Sequence, residues 1–513
     1  MTPESLVRSL EDFLASARDA HVFEDGAVAF DLADAKYSVS GEYNKCLLHL
    51  WSAERNVVRR VLDAEIKNDV LKLLVQRLGH NKPSELEICR LRDRRTASAK
   101  RRHRLTYARA LKIILARHFP EYSIADLRTS MDLERSFGPI YTRGLLKRGQ
   151  AGFAFIGVND EETQASIDAA LSFGILWLDL CRHTQAGDCV VEGLKLFLPA
   201  GSSTLIRERL SCLSQEAAKW ELYELDQHAH STVRRDIADR GNLNTRLVQF
   251  ANPQAAFERF APAVACIREL MPECEVVVLS PAELAFRHFG LEFARARLEY
   301  AYGSLQATPQ IVFGLGAAEQ QLTERNLSQF KCLVRSIGEV RHRDGPRDHP
   351  LWRMHPERWL ESLVLKNVSL LDQQLAAQSA VYSQVPAFSA SDRAMIDVLT
   401  CTRQGRLAVI ELKADEDIHL PLQGLDYWSR VCWHHQRGEF QKFGYFPGLQ
   451  LSPDPPLLFL VAPALRVHPA TDIILRYVCT AIPWTFIGID ERWRENIKPV
   501  FRKRSTQQSA RAA

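Results

Sequence analysis

Two carboxylates and an amine, Asp397, Glu411 and Lys413, are spaced so that they could share one small patch. In residues 395–413 two apolar stretches flank Arg403-Gln404-Gly405. A three-residue hairpin loop commonly ends in a left-handed residue, which glycine adopts without strain. That loop pairs Thr402 with Arg406 and sets Asp397 directly opposite Glu411. Side chains alternate along a strand, so Lys413 joins Glu411 on one face while Ile410 and Leu412 point to the core. A two-residue Gln404-Gly405 loop would slip the register by one and turn Asp397 to the wrong face. Directly opposed residues lie about 5 Å apart at Cβ. Two carboxylates that close repel, and one pKa rises unless a cation sits between them. Hard oxygen ligands suit magnesium or manganese. With such an ion bound, the patch could engage a phosphodiester oxygen, activate a water and stabilise transition-state charge. Lys413 could orient or deprotonate that water, or stabilise the pentacovalent phosphorus.

Asp397 followed by Glu411-Leu412-Lys413 resembles the signature of the PD-(D/E)xK nuclease superfamily. Ten residues after Lys413 comes Gln423-Gly-Leu-Asp-Tyr427, similar to the QxxxY motif of the RecB-like branch. Gln423 and Tyr427 are four apart and share one helix face. Upstream, residues 356–371 read as a helix with Pro356 near its start, in a pattern similar to NucS-like members. Glu361 matches the acid such nucleases carry on their first core helix, and Glu357 could equally fill that place. Ile396 stands where the family often has proline. The resemblance covers residues 357–504 only. It implies a restriction-endonuclease-like core, a mixed sheet flanked by helices that residues 457–461 and 485–489 would complete. It implies a DNA phosphodiester hydrolase with Asp397 and Glu411 as metal ligands and Lys413 as the catalytic amine. Glu361, Gln423 and Tyr427 would support them. A noncatalytic nucleic-acid-binding or assembly protein on the same fold, and an RNA nuclease, are the alternatives.

The chain has 513 residues, 46% hydrophobic and 25% charged, with a net charge of +4. That balance matches ordinary globular protein, with room for several domains. No run of roughly 18 apolar residues suggests a membrane span, and the first residues lack the pattern of a secretory signal. The 11 cysteines are scattered and form no CxxC pair, so buried, reduced thiols in a cytoplasmic protein are expected. Positive charge concentrates at Arg90, Arg92, Arg94, Arg95, Lys100, Arg101, Arg102 and Arg104, with Asp93 the lone acid among them. Such a block could neutralise DNA phosphates. A double-strand cutter with one site per chain would pair as a homodimer, which the sequence leaves open.

The elements around the patch read as α/β throughout. Residues 1–125 form a basic α/β N-terminal domain, 126–340 an α/β middle domain and 341–356 a linker. Residues 357–504 form the nuclease-like domain and 505–513 a polar tail expected to be disordered. Helices are expected at 3–18, 57–78, 105–118 and 281–300, the last carrying Arg287, Arg295 and Arg297. Residues 37–51 read as hairpin-like. Strands are expected at 154–158, 175–180, 189–198 and 275–279. The linker is drawn from the Pro, Gly and charge of residues 341–350. The irregular spacing of His342, His349 and His355 does not suggest a metal site. No nucleotide-binding glycine loop follows a strand. Residues 177–195 partly mirror the C-terminal hairpin, with Asp179 preceding Glu192. Glu192-Gly-Leu-Lys195 is one residue too long, and no QxxxY follows. A strand hairpin with incidental acids is the expected reading, with a duplicated, inactive nuclease-like fold as the alternative.

Overall fold

The computed structural model of the chain describes residues 2–17, 20–24, 27–32, 35–41, 45–52, 56–67, 70–77, 83–89, 97–132, 136–185, 187–227, 229–238, 245–250, 253–300, 307–316, 319–375, 380–388 and 395–505. They fall into two compact units, residues 1–114 with 128–142, and residues 115–127 with 143–513.

In the first unit, α1 (Pro3–Ala15) begins at Thr2, whose hydroxyl accepts the Ser5 amide. An antiparallel sheet follows, of β1 (His21–Glu24), β2 (Ala27–Asp31), β3 (Lys36–Ser40), β4 (Cys46–Trp51), β5 (Asn56–Lys67), β6 (Val70–Arg77) and β7 (Pro83–Cys89). Its order is β2-β1-β7-β6-β5-β4-β3. Leu6, Leu10, Phe13 and Leu14 of α1 share one core with Leu48, Val61 and Leu73. The helix expected over residues 57–78 is instead the β5–β6 hairpin. Its inward positions include Val57, Arg59 and Val61. Arg59 is inward only because it forms a buried pair with Glu24 at 2.7 and 3.0 Å, so a charged residue masks the period of two. The helix α2 (Ala97–His118) includes the expected 105–118 segment and begins within the basic block.

The second unit continues with β8 (Ser123–Arg128), β9 (Thr142–Arg148), β10 (Ala151–Gly157), α3 (Gln164–Asp168), α4 (Ala170–Thr184), β11 (Val190–Pro199), α5 (Thr204–Leu210), β12 (Lys219–Asp226) and β13 (Ser231–Arg235). The sheet runs β13-β12-β11-β10-β9-β8. β10 and β11, and β11 and β12, pair in parallel across helical crossovers, and β13 returns antiparallel. The strand expected at 175–180 lies inside α4. A run apolar on every side is ambiguous between strand and helix, and this helix buries Ile175, Leu176, Trp177 and Leu178. Residues 177–195 are therefore a helix end and a strand, and the hairpin reading is corrected.

Next come β14 (Arg246–Leu247), α6 (Pro253–Arg259), α7 (Ala261–Leu270), β15 (Glu275–Ser280), β16 (Glu283–His288), β17 (Leu291–Tyr300), β18 (Ala307–Phe313), β19 (Gln320–Gln321) and α8 (Leu327–Val340). β15 to β19 form an antiparallel meander. The helix expected over 281–300 is the β16–β17 hairpin. His288 pairs with Leu291, and Phe289 and Gly290 between them both have positive φ, 43° and 71°. Such a two-residue turn suits the twist of a hairpin. Residues 341–350 are not a bare connector. Arg341 is fully buried and leads into α9 (Pro350–Arg353) and α10 (Pro356–Lys366).

The last sheet is built from β20 (Tyr382–Phe388), β21 (Met395–Cys401), β22 (Leu407–Leu412), β23 (Leu457–Pro463), β24 (Trp484–Ile489) and β25 (Pro499–Arg504), with α11 (Leu420–Gln436), α12 (Glu439–Lys442) and α13 (Ala470–Arg476) in its crossovers. Its order is β14-β20-β21-β22-β23-β24-β25. β20–β21 and β21–β22 are antiparallel, β22–β23 and β23–β24 parallel, and β25 returns antiparallel. The chain is thus mixed α/β, as expected.

Candidate active site

The hairpin that carries the patch has the expected loop. Cys401 pairs with Leu407 and Val398 with Ile410. The Thr402 amide donates to the Arg406 carbonyl at 2.7 Å, and Gly405 has φ 81°. Extending that register by one step sets Asp397 opposite Glu411. β20 adds a third member. Ser383 faces Val398 and Val385 faces Ile396, so Gln384 stands opposite Asp397. A row of Gln384, Asp397 and Glu411 therefore crosses three strands.

Asp397 is half-buried. One of its oxygens accepts the Leu412 amide at 3.0 Å, and the other faces the Gln384 amide at 3.4 Å. Glu411 is 2% exposed. Its Oε1 lies 3.3 Å from Lys413 Nζ, and its Oε2 has no hydrogen-bond partner. Burial, and then the nearby Asp397, push its carboxyl well above the ordinary value. Lys413 is ringed by Glu411 at 3.3 Å, Asp417 at 3.9 Å and Glu357 at 4.0 Å. Burial alone would lower its pKa. Glu411, Glu357, Asp397 and Asp417 outweigh that, and the net shift is upward. The surrounding carboxylates thus favour the charged ammonium form of Lys413.

The helix acid is Glu361, buried on α10. Its Oε2 accepts from Arg358 at 2.9 Å and from Gln384 at 3.0 Å, while its Oε1 has no partner. Burial raises its pKa, with Arg358 opposing and Asp397 adding to the shift. Glu357 stands one turn earlier at the rim, its side chain half-exposed. Both glutamates weighed in the sequence thus reach the patch, Glu361 through Gln384 and Glu357 through Lys413.

Gln423 and Tyr427 lie on α11, which packs on β22 and β23. Gly424 makes this approach feasible, since a Cβ there would sit 2.4 Å from Leu460 Cδ2. Gln423 Oε1 is buried without a partner. Burial, then Glu411 and Asp397, raise the Tyr427 pKa, so the phenol keeps its proton. Next to it, Asp426 is bound by Arg209 of α5 at 2.8 and 3.0 Å.

Sequence reasoning did not find Gln384 or Arg358. Gln384 shows only through strand register, and its φ of 50° is unusual for a residue other than glycine. In the basic block, Lys100 and Arg101 are exposed on α2 and Arg104 is half-buried. Arg102 falls on the same helix, but its side chain is not among those described. Arg90, Arg92, Arg94 and Arg95 lie outside the described residues.

Among the described residues no group of three or more His, Cys, Asp or Glu side chains is arranged to hold a metal ion. The patch instead offers two adjoining carboxylates, with buried oxygens of Glu411, Glu361 and Gln423 lacking partners. Magnesium commonly takes one or two carboxylates and keeps several waters, so this donor set fits it. No helix described is long and apolar enough to cross a membrane. No family model, curated protein or solved structure matches the chain.

Proposed function

We propose that residues 357–504 are a divalent-metal-dependent nuclease of the PD-(D/E)xK kind, hydrolysing DNA phosphodiester bonds on a restriction-endonuclease-like core. The observation that carries this reading is the row Gln384-Asp397-Glu411 with Lys413 on its rim. Buried carboxylates are expensive unless something compensates them. An acidic row with orphaned oxygens beside a fixed ammonium is what a cation and a phosphate would satisfy together.

Asp397 and Glu411 would hold Mg2+ or Mn2+, which supplies Lewis acidity toward the phosphate and lowers the pKa of its bound water. The Leu412 amide fixes Asp397. The Gln384 amide bridges the acid on α10, Glu361, and the acid on β21, Asp397. Lys413, held charged by its acidic ring, stabilises negative charge gathering on the phosphoryl oxygens. Tyr427, protonated, and Gln423 position water or the sugar-phosphate backbone on the α11 side. Lys100 and Arg101 add phosphate contacts from the first unit.

Incubation of DNA with the protein in Mg2+, Mn2+ or EDTA tests this reading, with Asp397→Ala alongside. Cutting that needs the metal and vanishes in the variant is expected. Binding that survives Asp397→Ala, with no cutting in either metal, would leave the noncatalytic reading instead.

A further inference from the structure

The middle and C-terminal sheets are the same construction twice. β8 to β13 and β20 to β25 run in sequence order across their sheets. In both, strands three to five are parallel through helical crossovers and strand six returns antiparallel. The opening strands agree too. A two-residue connection makes β9 and β10 antiparallel. Ser123 Oγ donates to the Lys147 carbonyl, while Leu127 lies against Gly144, so β8 opposes β9.

The details correspond. α4 starts at Ala170 and α11 at Leu420, and each has a glycine four residues on. A Cβ on Gly174 would sit 2.8 Å from Leu194 Cδ2, as one on Gly424 would sit 2.4 Å from Leu460. Ile156 faces Leu196 across the parallel pair, as Glu411 faces Leu460. Residues can therefore be matched between the two sites. Glu411 corresponds to Ile156, Lys413 to Val158, Gln423 to Phe173 and Tyr427 to Trp177. Gly144 abuts Phe155, which puts Arg143 opposite Ile156 in the place of Asp397. Arg143 is 1% exposed, with its guanidinium 5.6 Å from the Trp177 ring. The first module thus has a cation, two aliphatic groups and an indole where the second has its acids, amine and phenol.

The two modules also face each other as a symmetric pair would. α4 packs on α13 and α5 on α11, first crossover against second in both directions. Arg209 of α5 binds Asp426 of α11, and Arg476 of α13 binds Asp179 of α4 at 3.2 Å. The segments after α5 and α13 meet in an antiparallel bridge, Leu213 with Val478. Flanking it, the Ser214 amide donates to Tyr477 and the Cys479 amide to Cys212, at 2.8 and 2.9 Å. An antiparallel bridge between matching segments is what a twofold axis produces.

We infer that the chain is a tethered pseudo-dimer of two such modules in which only the second cuts, so that it breaks one strand of a duplex per encounter. This rests on the function proposed above. The strands of a duplex are antiparallel and related by twofold axes, so cutting both without turning round on the duplex needs two competent sites. Each cut adds one water across one P–O bond, leaving a phosphate on one side and a hydroxyl on the other. At the positions matching Asp397 and Glu411 the first module has Arg143 and Ile156, neither of which can hold a metal ion.

The test is a time course on supercoiled plasmid DNA in Mg2+, with wild type, Asp397→Asn and the protein's mass in solution followed together. Nicked circles accumulating before any linear product, from a monomer, are expected, with loss of all nicking in Asp397→Asn. Linear product appearing together with the first nicked circles would overturn the inference while leaving the nuclease intact. So would nicking that persists in Asp397→Asn, since the first module would then be cutting. No cutting of any nucleic acid by wild type overturns the nuclease reading, and this inference with it.

Discussion

Replacing Arg341 by methionine tests whether residues 341–355 form a buried anchor for the site. The guanidinium reaches five main-chain carbonyls, of His288, Phe289, Leu351, Met354 and His355. Three of these lie at 2.7 to 2.9 Å, and the group rests 4.6 Å from the centre of the Trp359 ring. Burial, with Arg494 nearby, lowers its pKa to about 9, still above neutrality, so it remains charged. Methionine keeps most of the packing and removes every donor. An orphaned buried carbonyl costs about 1–3 kcal/mol. Taking the three short bonds at the low end gives a loss of about 3 kcal/mol, from which relief of a buried charge without a close carboxylate subtracts. That is a fall in Tm of at most roughly 4 °C if a unit as large as the second melts as one. Thermal and urea melting followed by tryptophan fluorescence would read it. Because Phe289 has positive φ and α10 carries Glu361, cleavage should fall with stability. A Met variant as stable as wild type, within about 0.5 kcal/mol, would refute the anchoring argument.

Further outcomes follow from the site and its surroundings. Lys413→Met should lower the cleavage rate by about 10²–10³ fold, the scale of losing one transition-state donor, with DNA affinity little changed in a filter-binding assay. Glu411 has a folded-state pKa above its unfolded value. Its contribution is therefore fully present below about pH 4.5 and is lost as pH rises through the folded pKa. Without metal, Glu411→Gln should melt higher than wild type at neutral pH, and Mg2+ should raise the Tm of wild type only. His288 is pushed down to about 4, chiefly by burial and then by Arg341. Its contribution is present above pH 6.5 and lost as pH falls toward 4, on the order of 3 kcal/mol. His288→Phe should flatten that stretch of the stability–pH curve, measured by urea midpoints.

The candidate row was legible where local chemistry fixed geometry. Gly405 determined a loop, the loop a register, and the register the meeting of Asp397 with Glu411. Gln384 was hidden because a strand partner contributed it, and no local spacing signals such a pairing. Residues 57–78 misled because Arg59 occupies an inward position, where it pairs with Glu24 and donates to the Val58 carbonyl. Arg341 looked like linker because its partners are main-chain carbonyls, which leave no pattern in the sequence. The repeat was sought in acids and a lysine at 177–195. What the two sheets share is topology, a glycine under each first crossover helix and the place where that helix begins, while the side chains at the matching positions differ in chemistry.

The most direct test of the central claim is the cleavage of labelled single-stranded DNA, duplex DNA and RNA in Mg2+, comparing wild type with Lys413→Ala and with EDTA. The account predicts cutting of DNA that stops on chelation and is lost in the variant. Cutting that continues in EDTA, or at the wild-type rate in Lys413→Ala, would contradict it.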